Sequence, residues 1–216
     1  TYVWQFSAAQ VSILTLGSFA SVLFAFLVAL PLSRRFGKKT AAMYMFVIGM
    51  FINSAPLILW LMHAFLPLNS LLLIPTLLVT SITGGGLAIG SSILLVSMLA
   101  DVVEDDEIKT GRRSEGLFFA GSSFMQKSAS GLGLLASGLI LRAAHFPVHA
   151  IPGQIDPQIV RNFALVYLPV VIVLYLAAMA IVGLYPITRG THEENLRRLA
   201  AETAQAGEAV DMGLEP

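Results

Sequence analysis

The chain has 216 residues, of which 56% are hydrophobic and only 12% are charged, and its formal net charge is zero. A soluble domain usually carries about a quarter charged residues, and this chain has neither a basic surface for nucleic acid nor a cysteine for disulfides or thiol-bound metals. Asp, Glu, Lys and Arg are all missing between Lys39 and Asp101, a stretch long enough to cross a bilayer twice. The composition therefore predicts a membrane protein.

Five apolar segments follow one another along the chain, at about 10–33, 41–65, 71–100, 116–141 and 157–185. Each is long enough to cross a membrane as a helix, and none alternates polar and apolar residues as a barrel strand would. Asp156 and Pro157 form a helix-start signal for the last segment. The predicted fold is an all-α polytopic membrane protein, with a transmembrane bundle over residues 1–190 and a tail over 191–216. The tail is expected to begin with a short amphipathic helix and to end disordered.

The basic residues lie mostly on one side of the predicted membrane. Ten of them are in alternate connections and in the tail: Arg34, Arg35, Lys38, Lys39, Lys109, Arg112, Arg113, Arg189, Arg197 and Arg198. The opposite connections hold only Arg142 and Arg161. By the positive-inside rule, we expect a multi-pass protein of the cell (inner) membrane with a cytoplasmic C-terminus. Because the chain opens on Thr1 rather than Met, we also expect it to be a fragment.

A single charge, Lys127, interrupts the fourth segment. It lies ten residues after Leu117, which is about 15 Å along a helix and near the middle of a bilayer, too far for a lysine to reach either interface. Helical spacing places Ser123, Ser130 and Gly131 on the same face. A tight seam of small residues against another helix would explain these neighbours but not the charge. An ionisable residue inside a membrane predicts a functional site, and its partner carboxylate is expected from another part of the protein because no acid lies inside any segment.

The connection between the third and fourth segments is rich in charge, with the sequence ADVVEDDEIKTGRRSEG over residues 100–116. One interpretation is a solvated loop. The other begins from Asp101 and Glu104, which are one helical turn apart where the third segment leaves the membrane, and from Glu115, where the fourth begins. Acids and bases at such positions can form ion pairs that open and close with a gate, although an exposed single pair contributes only ~0–1 kcal/mol.

The first connection, SRRFGKK, contains Arg34, Arg35, Gly37, Lys38 and Lys39. It is a positive-inside anchor, and Gly37 between the two basic pairs favours a tight turn between antiparallel helices. Further along, three successive glycines at 84–86 in the third segment predict either the close approach of a neighbouring helix or a bend.

Two stretches resemble a known transporter family. The first, MLADVVEDDEIKTGRRSEGLFFAGSSFMQKSASG over residues 98–131, is similar to the junction of helices ten and eleven in the glycoside-pentoside-hexuronide:cation symporters. These belong to the major facilitator superfamily and include melibiose permease. The second stretch, RRFGKK, resembles the basic turn between helices eight and nine. On this resemblance the chain would supply helices eight to twelve, five of the six helices in the C-terminal bundle of a twelve-helix fold.

The resemblance implies roles for particular residues. Lys127 matches the helix-eleven lysine near the cation and sugar site. Charged positions on the cytoplasmic gate side are matched by Asp101, Glu104, Glu107, Arg113 and Glu115. The acids that bind the coupling cation lie in the N-terminal six-helix half, which this chain lacks and which is its expected partner. No cofactor or metal is implied beyond Na⁺ or H⁺ as the coupling ion.

We therefore predict a cation-coupled symporter that carries a glycoside or a similar sugar by alternating access. An intramembrane enzyme is disfavoured, because the sequence has neither His-Glu-x-x-His nor paired intramembrane Asp. The same junction, including EGLFFA, also resembles lysophospholipid symporters, so transport of a lysolipid or another amphiphile is one alternative. A membrane sensor or scaffold that does not transport is the other.

Overall fold

The computed structural model describes residues 3–111, 114–147, 150–151 and 154–184. Five helices follow in chain order: α1, Ala8–Phe36; α2, Lys38–Leu61; α3, Leu73–Thr110; α4, Glu115–Ala143; and α5, Pro157–Gly183. No strand occurs among these described residues, so the predicted all-α fold is confirmed. The tail predicted over 191–216 lies outside the described residues.

Two helix ends follow the local signals that the sequence carries. Asp156 accepts a hydrogen bond from the backbone nitrogen of Gln158 at 2.8 Å, and Pro157 occupies the first position of α5. Gly37 alone connects α1 to α2, with a φ of 82°. Residues with a Cβ rarely adopt that conformation, so glycine is what allows the chain to turn within one residue.

Helix α3 is longer than the hydropathy predicts. The third segment is expected to end near residue 100, but the helix continues through the acid-rich stretch to Thr110. Asp105 and Lys109, four residues apart, support this extension with an ion pair of 2.6 Å. The helix ends only at Gly111, which adopts the left-handed conformation. The solvated-loop interpretation is therefore wrong for residues 101–110.

The centre of the bundle is the contact of α3 with α1 and α2. On α1, Gly17, Ser21, Ala25 and Ala29 recur every four residues and are all buried, so one helix face is small enough to let α3 lie close. A Cβ added to Gly86 would lie 2.8 Å from the backbone oxygen of Ser21. Of the two expectations for the three glycines, close approach is the one observed, and α3 continues through them as a helix.

Four of the helices, α1, α2, α3 and α5, are long and apolar enough to cross a membrane. α4 does not meet that measure, although it spans 29 residues where the fourth crossing is predicted. Its serines, its glycines and Lys127 lower the mean hydropathy of this helix. Within the described structure α4 contains no buried residue, and its role as a membrane span stays a prediction.

Candidate functional site

An ion pair joins the basic turn to the acid-rich end of α3. Lys38 Nζ lies 2.5 Å from Asp101 Oδ1, and the side chains are 34% and 8% exposed. A carboxylate removed from water is costly unless an opposite charge compensates it, and the Lys38 ammonium provides that compensation. The pair therefore holds the start of α2 against α3. Sequence reasoning assigned these two residues to separate groups, so their contact is a finding of the structure.

The neighbouring lysine contacts a different helix. Lys39 Nζ donates a hydrogen bond of 2.8 Å to the backbone oxygen of Gly183, the last residue of α5. The final carbonyls of a helix have no partner within it, and a cation also matches the partial negative charge at that end. Consecutive lysines at the start of α2 thus contact α3 and α5, and the ends of three helices meet at this turn. The sequence gives no signal for the Lys39 contact.

The arginines of the turn, Arg34 and Arg35, have exposed side chains. The guanidinium carbon of Arg35 lies 5.3 Å from the centroid of the Phe36 ring. The two lysines of the turn thus contact neighbouring helices, whereas Arg35 lies against the adjacent ring of Phe36.

The other gate candidates lie on the last turns of α3 and around the start of α4. Glu104 and Glu107 are partly buried on the last turns of α3. Glu115 is exposed in the first turn of α4, where its negative charge interacts favourably with the positive end of the helix dipole. Arg113 lies outside the described residues, so its pairing with these acids stays a prediction.

Lys127 has an exposed side chain on α4, and it makes no hydrogen bond or ion pair with the described part of the chain. Ser123 and Ser130 are also exposed, and the Ser130 hydroxyl donates to the backbone oxygen of Gln126 at 2.9 Å. A Cβ added to Gly131 would meet nothing within 4 Å. Among the described residues this face is therefore open, and no helix packs on it as a seam.

The structure keeps Lys127 apart from the charged end of the bundle. Glu115 precedes Lys127 by 12 residues on the same helix, which corresponds to about 18 Å of helix. The Lys127 face and the predicted gate residue Glu115 thus lie at different positions along the axis of α4. Among the described residues, no group of three or more His, Asp or Glu is arranged to hold a metal ion.

A cavity inside the described bundle does not offer a site for a polar solute. It has a volume of about 50 Å³ and is lined by Ala42, Met43, Phe46, Ser91, Leu95, Ala178, Met179 and Val182. Small-molecule sites usually enclose about 300–1,000 Å³ and present several polar groups. The one hydroxyl in this lining, on Ser91, already donates to the backbone oxygen of Ala42 at 3.0 Å.

Four long apolar helices and a basic turn between two of them are features of a polytopic membrane protein. The family model described as MFS/sugar transport protein matches residues 1–189. The chain belongs to this family, as two stretches of its sequence predicted, and the family is one of transporters rather than enzymes.

Two curated relatives match part of the chain. It is 40% identical over 110 residues to "Uncharacterized symporter sll1374" of Synechocystis sp., covering 49% of this chain and 20% of that protein. It is 29% identical over 114 residues to "Putative glycoside/cation symporter YagG" of Escherichia coli, covering 52% of this chain and 24% of that protein. The matched part is thus a quarter or less of either relative's length. No solved structure matches the chain.

Proposed function

We propose that the chain is part of a cation-coupled symporter that carries a glycoside or a related sugar across the cell membrane. Its family and the names of its two relatives support this proposal. The observation that carries it is the exposed ammonium of Lys127 in the middle of an otherwise uncharged stretch of α4. A charge at the bilayer centre costs several kcal/mol unless it faces water or an opposite charge, so this helix face is suited to line a polar path.

In the proposed mechanism, the face formed by Lys127, Ser123, Ser130 and Gly131 borders a cavity between this chain and the N-terminal six-helix half. The small side chains leave room for a solute, and the serine hydroxyls can exchange their helix-internal hydrogen bonds for bonds to it. The ammonium competes with, or couples electrostatically to, Na⁺ or H⁺ held by acids of the other half. Rocking of the two bundles around this midplane site gives alternating access.

In this proposal the cytoplasmic gate is formed by acids near the end of α3 and by Arg113 and Glu115 around the start of α4. Lys38 and Asp101 belong to one bundle, so their pair stays closed while the bundle moves as a unit. In one state of the cycle Glu104, Glu107 and Glu115, with Arg113, form pairs that cross to the other half, and these pairs break when the cavity opens inward. In this proposal that end and the C-terminus lie on the cytoplasmic side of the inner membrane, and the positive-inside pattern supports this orientation.

The experiment uses the complete protein in membrane vesicles, with imposed Na⁺ or H⁺ gradients and labelled glycosides. Three proteins are compared: the wild type, Lys127→Leu, and Lys109→Leu as a matched control. Lys109 loses the same charge, but it lies at the exposed end of α3, where its side chain is 70% exposed. We expect gradient-driven accumulation in the wild type and in Lys109→Leu. Lys127→Leu should insert equally well and lose accumulation.

Each outcome separates the candidate functions. Normal uptake by Lys127→Leu would contradict the role given to this lysine. Failure of the well-expressed wild type to accumulate any glycoside, together with uptake of a labelled lysophospholipid, would replace the sugar by an amphiphile. Binding of a solute without transport under either gradient would favour a sensor.

A further inference from the structure

An open apolar groove lies between α3 and the end of α5. α3 contributes four lining residues between Leu95 and Val102, and the end of α5 contributes Ile181, Val182 and Leu184. The groove has a volume of about 420 Å³. Ile181 and Leu184 are 69% and 82% exposed, so much of this apolar surface is uncovered within the described part of the chain. The groove has no role in the transport mechanism proposed above.

A step between two helix ends produces the groove. Lys38 contacts Asp101 and the adjacent Lys39 contacts Gly183, so Asp101 and Gly183 lie at a similar level of the bundle. α5 ends at Gly183, whereas α3 continues from that level to Thr110, which adds about 13 Å of helix. α5 itself therefore does not extend beside the last turns of α3.

The side of α3 that forms the groove changes from apolar to acidic along the helix. Asp105 and Asp106 follow Val102 by three and four residues, so they share its side of α3, as does Met98. Asp105 pairs with Lys109 at 2.6 Å. The Asp106 carboxylate forms no ion pair with the described residues. A matching occupant is therefore apolar along most of its contact and positively charged near Asp106.

The chain itself supplies such a segment directly after α5. Leu184, which lines the groove, is followed by the tail, and the sequence predicts an amphipathic helix at the start of that tail. Leu196, Leu199 and Ala200 lie at spacings of three and four residues, so they form one apolar side of the predicted helix. Arg197 borders this side. The tail therefore has both the apolar and the basic groups that match the groove.

We propose that the predicted helix of the tail folds back and fills the groove between α3 and α5. Its leucines lie against the apolar part of α3 in this arrangement, and Arg197 pairs with Asp106. Residues 185–190 connect the edge of the groove to the predicted helix, and they can span up to about 20 Å. Pro186 and Gly190 in this connection favour a turn. The connection is thus long enough for the helix to return to the groove.

The dimensions and charges of the two surfaces agree. The lining on α3 runs from Leu95 to Val102, a rise of about 10 Å, and residues 196–203 of the predicted helix rise by the same amount. A phospholipid is the other occupant that such an apolar groove accepts, but its phosphate would lie beside Asp105 and Asp106. Because like charges repel, the basic tail matches the groove better. This contact does not depend on which solute is carried.

The test is disulfide cross-linking of the complete protein in membrane vesicles, with any cysteine outside this chain replaced by serine. This chain contains no cysteine, so an introduced pair reports one contact. Val102→Cys is combined with Leu199→Cys or, as a matched control, with Ala201→Cys on the opposite side of the predicted helix. A disulfide needs its two Cβ atoms within about 4.5 Å, so we expect the Leu199→Cys pair to cross-link at least about fivefold faster.

Charge reversal tests the polar end of the contact. In the protein with Val102→Cys and Leu199→Cys, Arg197→Glu should slow cross-linking by about two- to fivefold. Adding Asp106→Arg should restore the rate. Arg198→Glu makes the same change of charge on the far side of the predicted helix and should have a smaller effect. Equal slowing by Arg197→Glu and Arg198→Glu would exclude the pairing with Asp106.

Two results would overturn the docking itself. Equal rates for the Leu199→Cys and Ala201→Cys pairs would mean that the tail presents no preferred side to α3. Absence of cross-linking in a protein that inserts normally would mean that lipid or another part of the protein fills the groove. Should Val102→Cys not insert, Asp106→Cys with Arg197→Cys provides the same comparison, with Asp106→Cys and Ala201→Cys as its control.

Discussion

Lys38 Nζ and Asp101 Oδ1 are 2.5 Å apart, although 63 positions of sequence separate the two residues. The stretch between Lys39 and Asp101 contains no Asp, Glu, Lys or Arg, and it holds all of α2 except its start and most of α3. The ion pair therefore joins the two polar ends of an apolar stretch that runs through α2 and most of α3. It fixes the position of α3 along its axis relative to the start of α2.

The first prediction concerns the energy of this pair. Lys38→Met or Asp101→Leu alone should lower the free energy of unfolding by roughly 1–3 kcal/mol, a value between those of exposed and fully buried pairs because Lys38 is partly exposed. The double variant should recover most of that loss, since an apolar pair leaves no charge out of water. Denaturant unfolding in detergent micelles measures all three.

The pair Lys109 and Asp105 is a control on the same helix. It is equally short, at 2.6 Å, but Lys109 is 70% exposed. Lys109→Met should lower the free energy of unfolding by no more than about 0.5 kcal/mol. Equal losses at the two pairs would show that the burial of Asp101 does not increase the contribution of its ion pair to stability.

The second prediction concerns the contact of α1 with α3 at Gly86. Gly86→Ala places a methyl group 2.8 Å from the Ser21 backbone oxygen and 2.6 Å from Phe24 Cδ1. Because the nearest backbone atom cannot rotate away, the helices must separate, and we expect a loss of roughly 1–3 kcal/mol of unfolding free energy. Thermal unfolding of the purified protein gives the measurement.

Gly138 on α4 is the matched position for that substitution. A Cβ there meets nothing within 4 Å in the described structure, so Gly138→Ala should be neutral or stabilise the helix by up to about 1 kcal/mol. If Gly86→Ala is as well tolerated as Gly138→Ala, the close approach of α1 and α3 is not required for stability.

The helices were predictable because their signals are local. Long apolar segments, the Asp156–Pro157 start and the turn at Gly37 each depend on neighbouring residues or on composition, which a sequence displays directly. The end of α3 was misjudged for the opposite reason. Hydropathy marks where a segment leaves the apolar layer, whereas the helix itself continues as long as its residues favour helix, here as far as Gly111.

The contacts at the candidate site depend on tertiary structure, which a single sequence does not display. The basic turn and the acid-rich stretch were both recognised as functional candidates, but nothing local indicates that Lys38 rather than Arg34 meets Asp101. The Lys39 contact with Gly183 joins residues 144 positions apart, and a backbone carbonyl leaves no mark in a sequence. Lys127 was recognised because a charge is rare in such a helix, and its partner stays a prediction.

The third prediction compares two adjacent serines on α3. Ser91 is buried and donates across to the backbone oxygen of Ala42 on α2 at 3.0 Å. Ser92 is exposed and donates to Ala88 within its own helix at the same distance. Ser91→Ala should lower the free energy of unfolding by about 1 kcal/mol. Ser92→Ala should change it by less than about 0.5 kcal/mol. Equal losses in the two variants would show that the hydrogen bond between α3 and α2 does not stabilise the protein.

The fourth prediction concerns the end of α5. Lys39 donates to the last carbonyl of this helix at 2.8 Å, an interaction worth about 0.5–1 kcal/mol at a helix C-terminus. Lys39→Met should therefore increase opening of the last turn, residues 180–183, by about two- to fivefold. Hydrogen exchange of those amides, followed by mass spectrometry, measures the change.

Arg35→Met is the control for that measurement, because it removes one positive charge from the same turn. The Arg35 guanidinium lies over Phe36 rather than against α5, so exchange at the end of α5 should match that of the wild type. A similar increase in both variants would mean that the net charge of the turn, acting at long range, stabilises α5. An increase confined to Lys39→Met would mean that the start of α2 directly holds the end of α5, and that consecutive lysines link three helices through separate partners.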